Sequence, residues 1–156
     1  KEVLATQSKP GHGWGNSPPE EQARRSVYIH VKRSLLTPIL ADFDLADTDT
    51  TCPVRFVTTQ PTQALGMMNS EFMQQQSKVF AERIAEETGG PDRSDVEACV
   101  RRAIEVALVR DAQDDEVAHG LALIDELETI EGISPSRSLE LYCLFLLNLN
   151  EFAYLD

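Results

Sequence analysis

The 156 residues suit one domain of ordinary size, long enough to bury a core without help from disulfides or metal. Apolar residues at 42% and charged residues at 26% exclude wholesale disorder. The net charge of −12 is localised: residues 1–60 hold seven basic and seven acidic side chains, residues 61–156 seven basic and nineteen acidic, which excludes general phosphate-backbone binding by the second part.

Residues 1–19 are rich in Gly, Pro, Ser and Lys, contain GHGWG and end in Ser17-Pro18-Pro19, the composition of an extended arm or linker. Residues 20–156 read as one helical domain, with a basic, strand-like segment and an acidic loop over 20–60 and a helical bundle over 61–156. Residues 26–33, SVYIHVKR, alternate with Val27, Ile29 and Val31 on one side and Tyr28, His30 and Lys32 on the other. Period two and β-branched content favour a strand; a helix running on from Glu20 is the rival. Pro38 opens a turn or short helix, residues 44–53 are a polar acidic loop, and 54–59 alternate again as a possible ribbon partner.

From Pro61 the period is helical, with Pro61 in a first turn where its missing N–H costs nothing. Ala64, Leu65 and Met68 share a face, and Asn69 interrupts. A helix over about 70–87 is expected to turn Phe72, Met73, Val79, Phe80 and Ile84 inward, and Gly89-Gly90-Pro91 stops it. Ser94-Asp95-Val96-Glu97 is a capping box, and the stripe Val96, Val100, Ala103, Ile104, Ala107 and Leu108 follows. Asp111 is the expected cap of the next helix, whose stripe is Val117, Leu121, Ile124 and Leu127 and which Gly132 ends. Ser134 or Ser136 opens a last helix to about Leu149, apolar nearly all round and so central. The expected fold is mainly α: four to five packed helices, an arm, and a candidate two-stranded ribbon.

The three cysteines, Cys52, Cys99 and Cys143, form no Cys-x-x-Cys, which removes zinc-ribbon, thioredoxin-type and haem-attachment motifs. Cys99 and Cys143 fall in apolar stripes and read as small buried hydrophobes, with a disulfide between them as the alternative. Cys52 lies in a polar loop near Arg55, so it is the candidate reactive thiol, although no base is identifiable beside it. His12, His30 and His119 are far apart and suggest no metal site. No phosphate loop and no Gly-x-Ser-x-Gly elbow occurs, and the adjacent carboxylates read as solvated faces. The longest apolar run, 139–147, is too short to span a membrane. The chain begins at Lys1, so we expect a fragment or processed piece of a longer protein, and the lack of a leader says little about localisation.

The segment RRSVYIHVKRS stands out, with Arg24, Arg25, Lys32 and Arg33 around Tyr28 in an acidic chain. The plain account is a solvated edge whose charges discourage edge pairing. The functional account is recognition of negative charge, because guanidinium forks bind carboxylate or phosphate bidentately and Tyr28 adds a stacking face. The acidic loop at 42–49 is the nearest candidate target, and a partner surface is the other.

These residues resemble a known family. Arg-Arg-Ser-x-Tyr, Lys-Arg-Ser, Phe-Asp, Cys-Pro-x-Arg, Thr-Thr-x-Pro-x-Gln-Ala-Leu, Asn-x-x-Phe and a terminal Leu-Asn-x-Asn-Glu-Phe resemble the planctomycete-specific domain family, domain of unknown function 1553, over most of residues 24–156. The signature positions are Arg24, Arg25, Lys32, Arg33, Cys52, Arg55, Thr58, Thr59, Gln63 and Asn69; Phe56 departs from the charged residue common there. The resemblance implies the tail of a longer exported or periplasmic protein whose upstream parts include a cytochrome-c-like haem domain. It implies haem only in those parts and no cofactor in this one, and it carries no catalytic role over to the signature.

The expectation is therefore a docking or scaffolding module, not by itself an enzyme. Its anion- or partner-binding candidates are Arg24, Arg25, Tyr28, Lys32, Arg33, Arg55, Gln63 and Asn69, and its partner is the upstream domain or an associated protein, with no nucleic acid and no membrane span. The alternative is a share in an enzyme or ligand site for an anionic or carbohydrate substrate. Arg cannot serve as a base near neutral pH, so these residue types suit binding better than proton transfer.

Overall fold

The computed structural model describes residues 18, 24–28, 40, 43, 61–90 and 95–154. The chain divides into two compact units, Lys1–Gln63 and Ala64–Asp156. The described residues are mainly helical and include no strand. In chain order a 3₁₀ turn at Ser26–Tyr28 precedes α1 (Pro61–Asn69), α2 (Glu71–Thr88), α3 (Val96–Leu108), α4 (Asp114–Thr129), α5 (Pro135–Leu147) and the single turn α6 (Asn150–Ala153).

Over residues 26–28 the strand expectation fails. Tyr28 N–H donates to Arg25 O at 3.0 Å and closes a local turn instead. Val27 is 76% exposed, so the apolar side of the expected strand is not buried there. Residues 29–33 and 54–59, the remainder of the expected ribbon, lie outside the described residues.

Local chemistry sets the ends of α2. Ser70, extended at φ −69° and ψ 124°, accepts from Met73 N–H through its hydroxyl, and Glu71 places a negative charge in the first turn. Gly89 ends the helix at φ 98°, a left-handed conformation open to glycine, and its N–H reaches Ala85 O at 3.0 Å. The buried line of α2 is Met73, Ser77, Ala81 and Ile84. Phe72 and Val79 do not turn inward as expected: Val79 is 58% exposed, because it sits two residues from Ser77 and therefore about 200° around the helix. Ser77 takes a buried place by donating to Gln74 O at 2.9 Å.

The N-cap of α3 is Asp95, and Ser94, the first residue of the expected capping box, lies outside the described residues. The stripe itself forms, with Cys99, Val100, Ala103 and Ile104 buried. α3 ends at Val109, which adopts φ 55° and ψ 36°, a left-handed conformation that strains a β-branched side chain.

α4 is capped by Gln113 rather than by Asp111. The helix begins there because the Glu116 carboxylate reaches back to the Gln113 N–H at 3.0 Å, satisfying a first-turn donor. Its buried line is Val117, Gly120 and Ile124, with Leu121 half-buried. α5 has Ser134 as N-cap and Pro135 in the first turn, and it buries Ser138, Leu139, Tyr142, Cys143, Leu146 and Leu147.

As its composition demands, α5 is central. It packs most extensively on α2, then on α4 and α3, and it also meets α6. The core joins Ile84 of α2, Cys99, Val100, Ala103 and Ile104 of α3, Val117 and Ile124 of α4, and Leu139, Tyr142, Cys143 and Leu146 of α5. Cys99 and Cys143 are buried free thiols. Among the described residues no helix is long and apolar enough to cross a membrane.

Charged side chains tie the helix ends. Glu87 of α2 accepts from Arg83 Nε and from Arg102 Nε of α3, each at 2.7 Å. Arg83 and then Arg102 hold its carboxyl below the usual carboxylate range. Arg110, placed by the turn at Val109, grips two carboxylates: Nη2 donates to Glu116 Oε1 at 2.6 Å, and Nε to Glu151 Oε1 at 2.6 Å. This fork fastens the start of α4 to α6. Glu116 is held down to about 2, chiefly by Arg110 and next by the Gln113 N–H.

Candidate functional site

The described part of the basic segment is residues 24–28, and all five are exposed. The guanidinium carbon of Arg24 lies 5.9 Å from the centroid of the Tyr28 ring. That distance is within cation–π range. The turn permits this contact: residues i and i+4 of a strand stand about 13 Å apart, whereas one helical turn brings them together. A flat strand would separate Arg24 from Tyr28. Arg25 follows directly, so one aromatic face and two guanidinium groups share one short exposed stretch.

The structure places Gln63 and Asn69, both on α1, differently. Gln63 is 2% exposed, while Asn69 is exposed and donates from Nδ2 to Leu65 O at 2.9 Å within its own helix. Six residues apart on an α-helix, the two point about 120° apart and do not converge. The buried line of α1 is Gln63 and Met67, and the shared face of Ala64, Leu65 and Met68 is exposed. Lys32, Arg33, Cys52, Arg55, Thr58 and Thr59 lie outside the described residues. The structure therefore brings Arg24 and Tyr28 together, with Arg25 beside them, and separates Gln63 from Asn69.

Among the described residues of the second unit, the basic side chains lie beside carboxylates. Lys78, Arg83, Arg101, Arg102, Arg110 and Arg137 each lie within 4.0 Å of a carboxylate. With these cations paired, the surplus carboxylates of α2 to α5 give the unit an acidic exterior. Among the described residues no group of three or more His, Cys, Asp or Glu side chains is arranged to hold a metal ion. The thiols of the core do not suit nucleophilic work: burial, then the neighbouring Cys99, pushes Cys143 up to about 12. Cys99 Sγ lies 3.0 Å from Thr88 Oγ1 and 3.2 Å from Gly90 O, which fastens the end of α2 to α3.

Sequence reasoning missed the Arg110 fork. Glu151 is the acidic residue of the terminal Leu-Asn-x-Asn-Glu-Phe pattern, yet its partner lies 41 positions earlier, beyond the reach of any helical spacing. The one available signal was an arginine just past a helix end with acids on the next helix.

Searches of curated proteins and of solved structures return no significant match. A family model described as PSD1, protein of unknown function (DUF1553), matches residues 2–124. The matched span takes in residues 2–23 and stops within α4, before the terminal pattern. Since it covers well over half of the chain, the chain belongs to the DUF1553 family.

Proposed function

We propose that this chain is a non-catalytic helical module that docks onto an acidic surface, with the Arg24–Tyr28 turn as its contact element. The observation that supports the reading is the exposure of Arg24, Arg25 and Tyr28 together, with the Arg24 guanidinium over the ring. An exposed aromatic face beside guanidinium groups is the residue chemistry that recognises carboxylates and stacks on planar groups. The acidic helices act as platform: their cations are engaged internally, so they add no positive charge to the contact and they repel a phosphate backbone. The partner is an acidic face on the upstream part of a longer exported polypeptide, or on an associated protein.

The test mixes the chain with the separately expressed upstream part in sedimentation runs at about 20 mM and about 500 mM salt. The reading requires a complex at low salt that weakens at high salt and is lost in the Arg24→Glu, Arg25→Glu double variant. Absence of a complex, or a complex indifferent to salt and to the charge reversal, refutes it.

A further inference from the structure

The helical unit carries a second feature, unrelated to the basic turn. A cavity of about 390 Å³ opens between α3, α4 and α5. Its walls are apolar: Ile104 and Leu108 from α3, Leu123 from α4, Phe145 and Leu146 from α5, and Leu149 just beyond. The size falls in the range of small-molecule sites, which are mostly apolar with a few placed polar groups.

One polar group lines this cavity from within. Tyr142 is 2% exposed, and among the described residues nothing hydrogen-bonds its hydroxyl. The ring is held in place, stacked on Phe145 at 6.4 Å between centroids. Its hydroxyl is accommodated by Gly120, where a Cβ would stand 2.8 Å from Tyr142 Oη. Glycine at 120 therefore keeps room for a buried phenol. The hydroxyl is not among the fully enclosed unsatisfied polar atoms, so it stands open to the cavity and is available to a bound oxygen. Burial raises the phenol above its ordinary range, so it stays protonated and able to donate at neutral pH.

The polar edge of the cavity is formed by Glu116 and His119. Arg110 binds Glu116 and Glu151 together, and two carboxylates against one guanidinium leave that cluster at −1. An anion entering beside it meets repulsion, whereas a neutral molecule does not.

We propose that this cavity is a binding site for an uncharged apolar ring or chain carrying one hydrogen-bonding oxygen, held by the Tyr142 hydroxyl. The proposal stands independently of the docking function.

Two probes of the same ring, 2-naphthol and 2-naphthoate, test it against the 156-residue chain by methyl NMR. The expected result is saturable shifts from 2-naphthol at Ile104, Leu108, Leu123, Leu146 and Leu149, with 2-naphthoate roughly tenfold weaker. Tyr142→Phe keeps the ring and weakens 2-naphthol about two- to tenfold. Leu123→Trp fills the cavity and abolishes the shifts; if that variant does not fold, the wild-type and Tyr142→Phe titrations decide. No saturable shift at these methyls, equal binding of the two probes, or unchanged 2-naphthol affinity in Tyr142→Phe overturns the proposal.

Discussion

Gly120→Ala probes the close approach of α4 to α3 and α5 at Gly120. A Cβ at position 120 would lie 2.7 Å from Val100 Cγ1, 2.8 Å from Tyr142 Oη and 3.0 Å from Tyr142 Cε2. Val100 is 0% and Tyr142 2% exposed, so neither wall is the loose end of a flexible side chain. Overpacking of this kind costs about 1–3 kcal/mol, and two rigid walls put this case in the upper half of that range. Against it stands the gain of about 1 kcal/mol from replacing a mid-helix glycine by alanine. The net expectation is a loss of about 1–2 kcal/mol. Urea denaturation followed by far-UV circular dichroism reads it as a lower midpoint with an unchanged slope. Adding Val100→Ala removes one wall, so the double variant should be more stable than the sum of the singles by at least about 0.5 kcal/mol. A Gly120→Ala protein as stable as the wild type, or more so, would refute the claim that α4 needs glycine to approach α3 and α5.

Val109→Gly should stabilise the chain by about 0.5–1 kcal/mol in the same assay, since relief of left-handed strain exceeds the added chain entropy. The lost side chain there is 88% exposed and gives up little packing. Glu116 has a folded-state value of about 2 against an ordinary 4.5, so its contribution is fully present above the ordinary value and is lost as pH falls from about 4.5 towards about 2. Glu116→Gln should accordingly flatten the acid side of a stability-versus-pH curve in that window, and an unchanged acid limb would show that the Arg110 fork does not stabilise the fold. Cys99 and Cys143, both buried, should resist alkylation at pH ~8 in native protein and label only in denaturant, as peptide mapping by mass spectrometry would reveal.

The helices were legible in the sequence because their signals are local. The stripe from Val100 to Ile104, the glycines at 89 and 132, and Pro135 after Ser134 each act within one or two turns of chain. The near-continuous apolar character of 139–147 likewise marked α5 as central, and burial on several neighbours follows. What failed also has local causes. The alternation in 26–28 was real, but a turn that brings Arg24 to the Tyr28 ring does not need its apolar side buried. Asp111 is the one acid between α3 and α4, and Glu116 decided the matter by reaching back to Gln113. Phe72 and Val79 were judged by residue type, and phase on the helix overrode it.

The candidate site was legible only in composition. Arginines beside a tyrosine can be counted in a sequence, yet their meeting at 5.9 Å is a property of the turn. The Arg110 fork and the cavity at Tyr142 were hidden for a different reason. They join residues from separate helices, and Gly120 reads in sequence only as a weak helix former until Tyr142 is seen against it.

The central claim, that the Arg24–Tyr28 turn exists to meet negative charge on a partner, is tested most directly by calorimetric titration of the upstream part into wild-type chain and into an Arg24→Gln, Arg25→Gln variant, each checked for stability in urea. The account predicts unchanged denaturation midpoints, affinity weakened roughly tenfold or more, and a shallower dependence on salt. Equal affinities with equal salt dependence would contradict it.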